Sequence, residues 1–361
     1  MIVVLIDAHA HVIPGSFPGV PGLGGLPGVL GSAPGCDPDE WPRMEPAGAD
    51  GARLLRSGTV RFTARQAWFD AERRLAASAA SGVDAEVASP FPPLLNYRLP
   101  AAAGRDLARW VNEYIAGLCA AFPGRLYGLG TVPLQDPDLA ADELPDIAKA
   151  GLAGVEIASS VGGTSLGDPR FLGFFAEAER LGTAIFVHAM PLPSDRLPGP
   201  ATATFGVGVE GSLAAAAIVT GGVAEKYPSL RLAFSHAAGG FPLMLTRAQW
   251  FWGRTWNEEP PGERGPEAAP WAAATGPAEL ARRFYYDSLV FDRRAIRYLV
   301  DMLGADRLLV GSDFPAMPRE EPAGRTLRSM GLSGAELDDI TWNNCFRFLG
   351  IDAPKLFSFG E

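Results

Sequence analysis

Ile2-Val3-Val4-Leu5-Ile6-Asp7-Ala8-His9-Ala10-His11 opens the chain with five apolar residues that run into two histidines at alternate positions. A strand that is apolar on both faces belongs in a parallel sheet covered by helices. Residues i and i+2 of a strand face the same way, so His9 and His11 share one side if the strand continues through them. Two imidazoles together at a strand's C-terminal end form a bidentate clamp for a metal ion.

Runs of the same kind recur at residues 83–88, 126–132, 154–158, 184–187, 230–234, 284–286 and 308–310. Stretches between them, notably 104–122, 140–150, 171–181 and 293–303, carry apolar residues at helical spacing. Eight strands alternating with helices in 361 residues predict an α/β chain folded as a single-domain (β/α)8 TIM barrel over residues 1–361. Residues 14–65 break this rhythm directly after the first strand, and residues 14–35 are too rich in Gly and Pro for regular structure. In a barrel that position lies over the active-site face, so the insertion is expected to be a lid or substrate wall. The aromatic segment 250–256, with Pro260-Pro261 beyond it, suggests a second insertion or an interface segment.

The chain has four histidines, His9, His11, His188 and His236, and each lies at or next to the C-terminal end of one of these runs. His188 closes the run 184–187. His236 follows Leu232-Ala233-Phe234-Ser235 and precedes Ala237-Ala238-Gly239-Gly240, where the glycines let backbone or substrate approach closely. Asp313 follows Leu309-Val310-Gly311-Ser312. A barrel gathers its C-terminal strand ends on one face, so these scattered residues become one metal site.

A net charge of -10 argues mildly against nucleic acid or an anionic membrane as partner. No stretch reads as the roughly 20 apolar residues of a membrane span, and the N-terminal run is too short for a signal peptide. Cys36, Cys119 and Cys345 are far apart and odd in number, which implies a reducing compartment, and a cytoplasmic location is expected. The three lysines, Lys149, Lys226 and Lys355, all lie off the strands.

Together with the opening Asp7-Ala8-His9-Ala10-His11, four stretches carry a resemblance: Phe186-Val187-His188, Ser235-His236-Ala237-Ala238-Gly239-Gly240-Phe241-Pro242, Gly311-Ser312-Asp313-Phe314-Pro315 and Tyr127-Gly128-Leu129-Gly130-Thr131-Val132-Pro133. They resemble the metal-dependent amidohydrolase superfamily, in the branch of aminocarboxymuconate-semialdehyde decarboxylase and the resorcylate-type decarboxylases. The resemblance implies that His9, His11, His188 and Asp313 bind one divalent ion, Zn²⁺ or, with the same donors, Mn²⁺. A water would complete the shell, with His236 beside it as general base and acid. Two-metal members use a carboxylated strand lysine as bridge. None is available here, which favours one metal, although Glu156 on the fourth run is a carboxylate and carboxylates can also bridge metals. In the decarboxylase two arginines hold a substrate carboxylate, one of them lent by a neighbouring subunit. Arg247 matches the lent one and implies a homodimer, while Arg61 or Arg65 is the candidate for the other, with Phe62 on the expected position itself. Ala189-Met190-Pro191 stands where a tryptophan is usual and Phe291 where a histidine is usual, so the pocket is expected to be more apolar.

The resemblance implies non-oxidative decarboxylation of a small carboxylic acid, aromatic or muconate-semialdehyde-like, with His236 and the metal-bound water delivering the proton. The rival readings are a hydrolase or hydratase, in which Asp313 accepts the proton, and a metal-stabilised binding scaffold.

Overall fold

The structure, a computed structural model, describes residues 4–19, 36–192, 197–253 and 275–353. Eight parallel strands follow one another round a barrel in chain order. They are β1 (Ile6–Val12), β2 (Ala85–Pro90), β3 (Leu126–Gly130), β4 (Gly154–Ala158), β5 (Ala184–His188), β6 (Leu232–Phe234), β7 (Tyr285–Asp287) and β8 (Leu308–Leu309). The chain beyond β8 closes the ring on β1: Ala8 N donates to Val310 O and His11 N to Phe314 O, both at 2.8 Å. This is a (β/α)8 barrel.

The longer helices between the strands are α1 (Ala71–Ala80), α2 (Ala101–Ala121), α3 (Pro137–Lys149), α4 (Leu172–Leu181), α5 (Ala201–Thr220), α6 (Phe241–Gly253) and α7 (Arg293–Leu303). Their starts are written locally. Asp70, Asp136 and Asp292 sit just before α1, α3 and α7, and each side chain accepts a first-turn amide. Pro137 opens α3, where its missing N–H costs nothing. Val4, Ile6, Ala8, Val87, Leu129, Phe186, Tyr285 and Leu309 fill the barrel, and a larger apolar layer lies between the strands and the helices.

Several boundaries differ from the sequence reading. β1 begins at Ile6 rather than Ile2 and runs through both histidines, and β7 ends one residue later, on Asp287. The second half of the insertion is not irregular. Arg43–Pro46, Arg53–Ser57 and Val60–Ala64 form a three-stranded antiparallel sheet. Arginine and glutamate on its open face hide the apolar alternation. The Phe62 ring packs on Trp68 at 5.0 Å and on Phe91, just past the end of β2, at 4.7 Å. The sheet therefore stands at the C-terminal ends of the first strands. Residues 20–35 and 254–274, including the second half of the segment 250–256 and Pro260-Pro261, lie outside the described residues.

The expectation that no stretch is long and apolar enough to span a membrane needs correction. α5 qualifies by length and composition. Its Ala, Gly and Thr content masks this in a simple reading. In the barrel, Gly206 packs on Leu192, and Gly211 packs on Ala189 and on Ala238, so one face of α5 is committed to protein.

Candidate metal centre

β1 turns both histidines inward by a bulge. Asp7 pairs with Glu86 of β2 and Ala10 pairs with Ala88, so β1 holds one residue more than its partner between these pairs. Val4, Ile6 and Ala8 face the barrel interior. Strict alternation would have sent His9 and His11 to the outside. The extra residue reverses the faces, and both rings meet His188 of β5, with centroids 5.1 and 4.9 Å away. Gly311, beyond β8, leaves room for this: a Cβ there would lie 2.9 Å from His9 Cβ and from Asp287 Cβ. Asp313, two residues on, adopts φ 57° and brings its carboxylate to the same point.

One ligand atom from each of His9, His11, His188 and Asp313 lies within 4.8 Å of all the others. His11 Nε2 is 3.1 Å from His9 Nε2 and 3.1 Å from Asp313 Oδ1. Bonds of about 2.1 Å to a tetrahedral ion place its ligands ~3.4 Å apart, so these separations fit. Tautomers support the same conclusion. His9 Nδ1 lies 2.7 Å from Asp287 Oδ2, and His11 Nδ1 lies 3.0 Å from the Pro90 carbonyl. With Nδ1 donating in each ring, the Nε2 lone pairs face one another and need a positive charge between them. A proton can serve. Burial pulls His9 down, but the Asp287 hydrogen bond and the Asp313, Asp287 and Glu156 carboxylates raise it to about 9. A divalent cation displaces that proton. Among the described residues, neither nitrogen of the buried His188 has a hydrogen-bond partner, and burial, then His11 and His9, hold it well below the usual imidazole range. It is a neutral ring with a free lone pair, as a metal ligand must be. The residues fit a divalent ion.

His236 lies outside this set. It follows β6 on a turn in which His236, Ala237 and Ala238 all have left-handed φ (51°, 53° and 55°). Such backbone costs about 1 kcal/mol or more per residue and needs support. Asp287 supplies it, accepting His236 N at 2.8 Å and Ala237 N at 3.0 Å. The His236 ring stands 5.3 Å from His9 and 5.4 Å from His188, centroid to centroid. Burial, then His9, lowers its pKa, which leaves it neutral at neutral pH.

Asp287 is the residue the sequence reading missed. Its signal was an acid one step past a run ended at Tyr286. Its two oxygens serve four donors: the His9 ring, the His236 and Ala237 amides and the Leu289 amide at 3.1 Å. Asp287→Asn would turn an amide NH₂ towards two of them. We expect metal affinity to fall about 10- to 100-fold by calorimetric titration, with ~1–3 kcal/mol of stability lost to stranded donors.

Glu156 of β4 is fully buried, and its Oε2 lies 3.6 Å from His11 Nδ1. It is on the far side of that ring from the converging Nε2 atoms, and burial pushes its carboxyl up towards the neutral acid. Arg61 and Arg65 are exposed. Strand alternation turns Phe62 inwards and Arg61 outwards, where it donates to the Gly58 and Val60 carbonyls. Neither arginine is brought to the histidines. Arg247 is exposed on α6 with its guanidinium 4.9 Å over the Phe251 ring.

In the metal-free protein the joint contribution of His9, His188 and His236 to stability should peak near the free imidazole value of 6.5. Below that value the unfolded chain takes up protons that His188 and His236 refuse when folded, so stability falls with pH. Above it folded His9 keeps a proton the unfolded chain has lost, and that contribution vanishes as pH rises through about 9. Thermal melts in chelator between these limits test this, and a monotonic rise with pH would contradict it.

A family model described as amidohydrolase matches residues 6–351. The 2-amino-3-carboxymuconate-6-semialdehyde decarboxylase of Dictyostelium discoideum is 28% identical over 97% of this chain and 92% of its own. Among solved structures, 5-carboxyvanillate decarboxylase from Sphingomonas paucimobilis superposes with a TM-score of 0.69 at 27% identity, over 79% of this chain and 84% of that one. The dihydroxybenzoic acid decarboxylase of Polaromonas sp. JS666, which contains bound manganese, shares the fold with a TM-score of 0.69 at 23% identity, over 82% and 90% of the two chains.

Proposed function

We propose that this chain, which belongs to the amidohydrolase family, is a metal-dependent carboxy-lyase that removes CO2 from a small carboxylated aromatic or muconate-semialdehyde-like acid. The observation that carries this reading is His236, a buried imidazole about 5 Å from two ligand rings yet outside the ligand set. It is a proton carrier placed beside an electrophilic centre.

When bound, a divalent ion held by His9, His11, His188 and Asp313 would polarise a substrate oxygen and neutralise charge that develops on it. The chain's own part is proton handling. Protonated His236 gives its Nε2 or Nδ1 proton to the carbon that bears the carboxylate. The C–C bond to the carboxylate then breaks, its electron pair returns to the substrate, and CO2 leaves. The neutral ring regains a proton from solvent. Its lowered pKa makes the imidazolium a stronger acid at the moment of transfer. In the metal-free protein burial raises the Asp313 carboxyl, but the His11 hydrogen bond and the His9 charge outweigh it, so Asp313 is ionised and ready to hold a cation.

Three imidazoles and one carboxylate favour Zn²⁺, with Mn²⁺ as the other candidate. Elemental analysis of purified protein would decide between them. The insertion's sheet, standing at the β1 and β2 ends, is proposed as a wall of the substrate pocket. A homodimer is proposed through α5 and α6. Phe205 (68% exposed), Val209 and Leu213 line α5 at helical spacing, and Leu243 (65%), Met244 and Phe251 flank Arg247 on the neighbouring α6. An apolar face of this kind marks a protein contact, and Arg247 lies within it. Arg247→Ala is expected to lower kcat/KM about 10- to 100-fold, chiefly through KM, with the dimer intact by sedimentation. The free cysteines support the cytoplasm as its location.

The deciding experiment is CO2 release from a panel of hydroxybenzoates, carboxyvanillate and aminocarboxymuconate semialdehyde with metal-loaded enzyme. Release from at least one acid, lost in His236→Ala, is expected. Turnover of a lactone or amide panel with no CO2 from any acid would move the protein to the hydrolase reading.

A further inference from the structure

Asp7 heads the sequence motif, yet its carboxylate meets the metal cluster only through the backbone amide of His9. It faces outwards, in a buried group of charges between β1, β2, α1 and the chain beyond β8. Asp7, Arg74, Glu86 and Arg319 are all buried. Arg319 gives Nε and Nη2 to Asp7 Oδ2 at 3.0 and 2.8 Å, and Nη2 also reaches Glu86 Oε1 at 2.7 Å. Arg74 pairs with Glu86 through Nε and gives Nη1 to the His11 carbonyl at 2.6 Å. Two cations and two anions balance, as buried charge requires.

The contacts of this group fall on the backbone that aims the ligands. Asp7 Oδ1 accepts the amide of His9 at 3.3 Å, inside the bulge. Asp7 Oδ2 also accepts the Ser312 hydroxyl, and the Arg319 guanidinium lies 3.8 Å over the Phe314 ring. Ser312 and Phe314 are the two neighbours of Asp313, the residue forced into left-handed φ. The His9 carbonyl accepts the Asp313 amide at 2.9 Å, so the bulge and the kink share a hydrogen bond as well.

We infer that Asp7 and Arg319 are positioning residues that set the metal centre from outside the barrel, by pinning the β1 bulge that turns His9 and His11 inwards and the kink that presents Asp313. Neither would touch the ion or the substrate. The inference rests on the metal reading of the cluster but not on the decarboxylase reading, since it concerns how the ligands are aimed. It also explains why an aspartate precedes the two histidines: only a short carboxylate on the opposite face can reach its own bulge amide and Arg319 together.

The test is Co²⁺ binding to metal-free protein, followed by calorimetry and by the visible absorption of the bound ion, which reports ligand geometry. Wild type, Asp7→Asn, Ser312→Ala and Arg319→Lys are compared with Leu144→Ala, a core substitution in α3 that lowers stability away from the clamp. Asp7→Asn and Arg319→Lys are expected to bind Co²⁺ about 10- to 100-fold more weakly with a shifted spectrum, and Ser312→Ala to show a smaller change in the same direction. Leu144→Ala should melt earlier with the wild-type spectrum and affinity. Unchanged affinity and spectrum in folded Asp7→Asn or Arg319→Lys would overturn the proposal. If both fail to fold, an unchanged Ser312→Ala overturns it. Failure of wild type to bind Co²⁺ would instead overturn the metal reading itself.

Discussion

His188→Ala is expected to remove the metal and at least about 10³-fold of CO2 release while the barrel stays folded. The ring is buried, and neither nitrogen hydrogen-bonds to any of the described residues, so its removal breaks no hydrogen bond among them. What it loses is one of three imidazoles in a four-donor set. An ion left with His9, His11 and Asp313 is held by one strand and one loop, and the fourth direction opens to water. The charge stabilisation such an ion gives is worth several kcal/mol, and ~4 kcal/mol corresponds to about 10³ in rate. The stability cost is that of a modest cavity beside His9, His11 and His236, about 1–3 kcal/mol. Metal content by elemental analysis, melting in chelator and CO2 release separate the three effects. A variant that keeps both metal and rate would remove His188 from the centre.

The barrel was legible because its strands are buried on both faces and read as unbroken apolar runs. Leu129, Ile157, Phe186 and Phe234 all lie in such runs and in the core. The four histidines were legible for a related reason: a polar residue that ends an apolar run stands at a strand's C-terminal edge, and a barrel brings those edges together. How His9 and His11 come to face inwards was not legible. Strict alternation from Val4, Ile6 and Ala8 would have placed them outside, and the bulge that reverses this depends on Asp7, Arg319 and Ser312, two of them some three hundred positions away. Asp287 was missed because β7 is only three residues long, too short for any period to show where it ends. The insertion's sheet was missed because one of its faces is solvated and mixes arginine and glutamate among few apolar residues. Arg61 and Arg65 rested on the resemblance, which put Phe62 on the expected position, and a strand of period two decides between Phe62 and its neighbours only when its packed face is known.

His236→Ala should separate proton transfer from metal binding, because His236 is adjacent to the ligands without being one. Metal content and Co²⁺ absorption are expected to stay near wild type, whereas kcat falls about 10²- to 10⁴-fold, the range of a lost general acid. KM should change little, since the ring holds a proton rather than the substrate's carboxylate. His236→Gln keeps a hydrogen-bonding side chain of similar reach but cannot cycle a proton near neutral pH, so it should be nearly as slow as alanine. If His236 served only to order water or to wall the pocket, glutamine would recover much of the rate. The left-handed backbone at this position adds a control. Asp287 holds the His236 and Ala237 amides whatever the side chain, so both variants should keep the turn and melt close to wild type. The pH profile completes the argument. Burial lowers the His236 transition below the usual imidazole range, and a divalent ion in place of the His9 proton would act in the same direction, so kcat in the wild type should fall as pH rises through that transition and the imidazolium is lost, while the residual rate of His236→Gln should lack this limb. A glutamine variant that retained both the rate and the wild-type pH limb would show that another group delivers the proton.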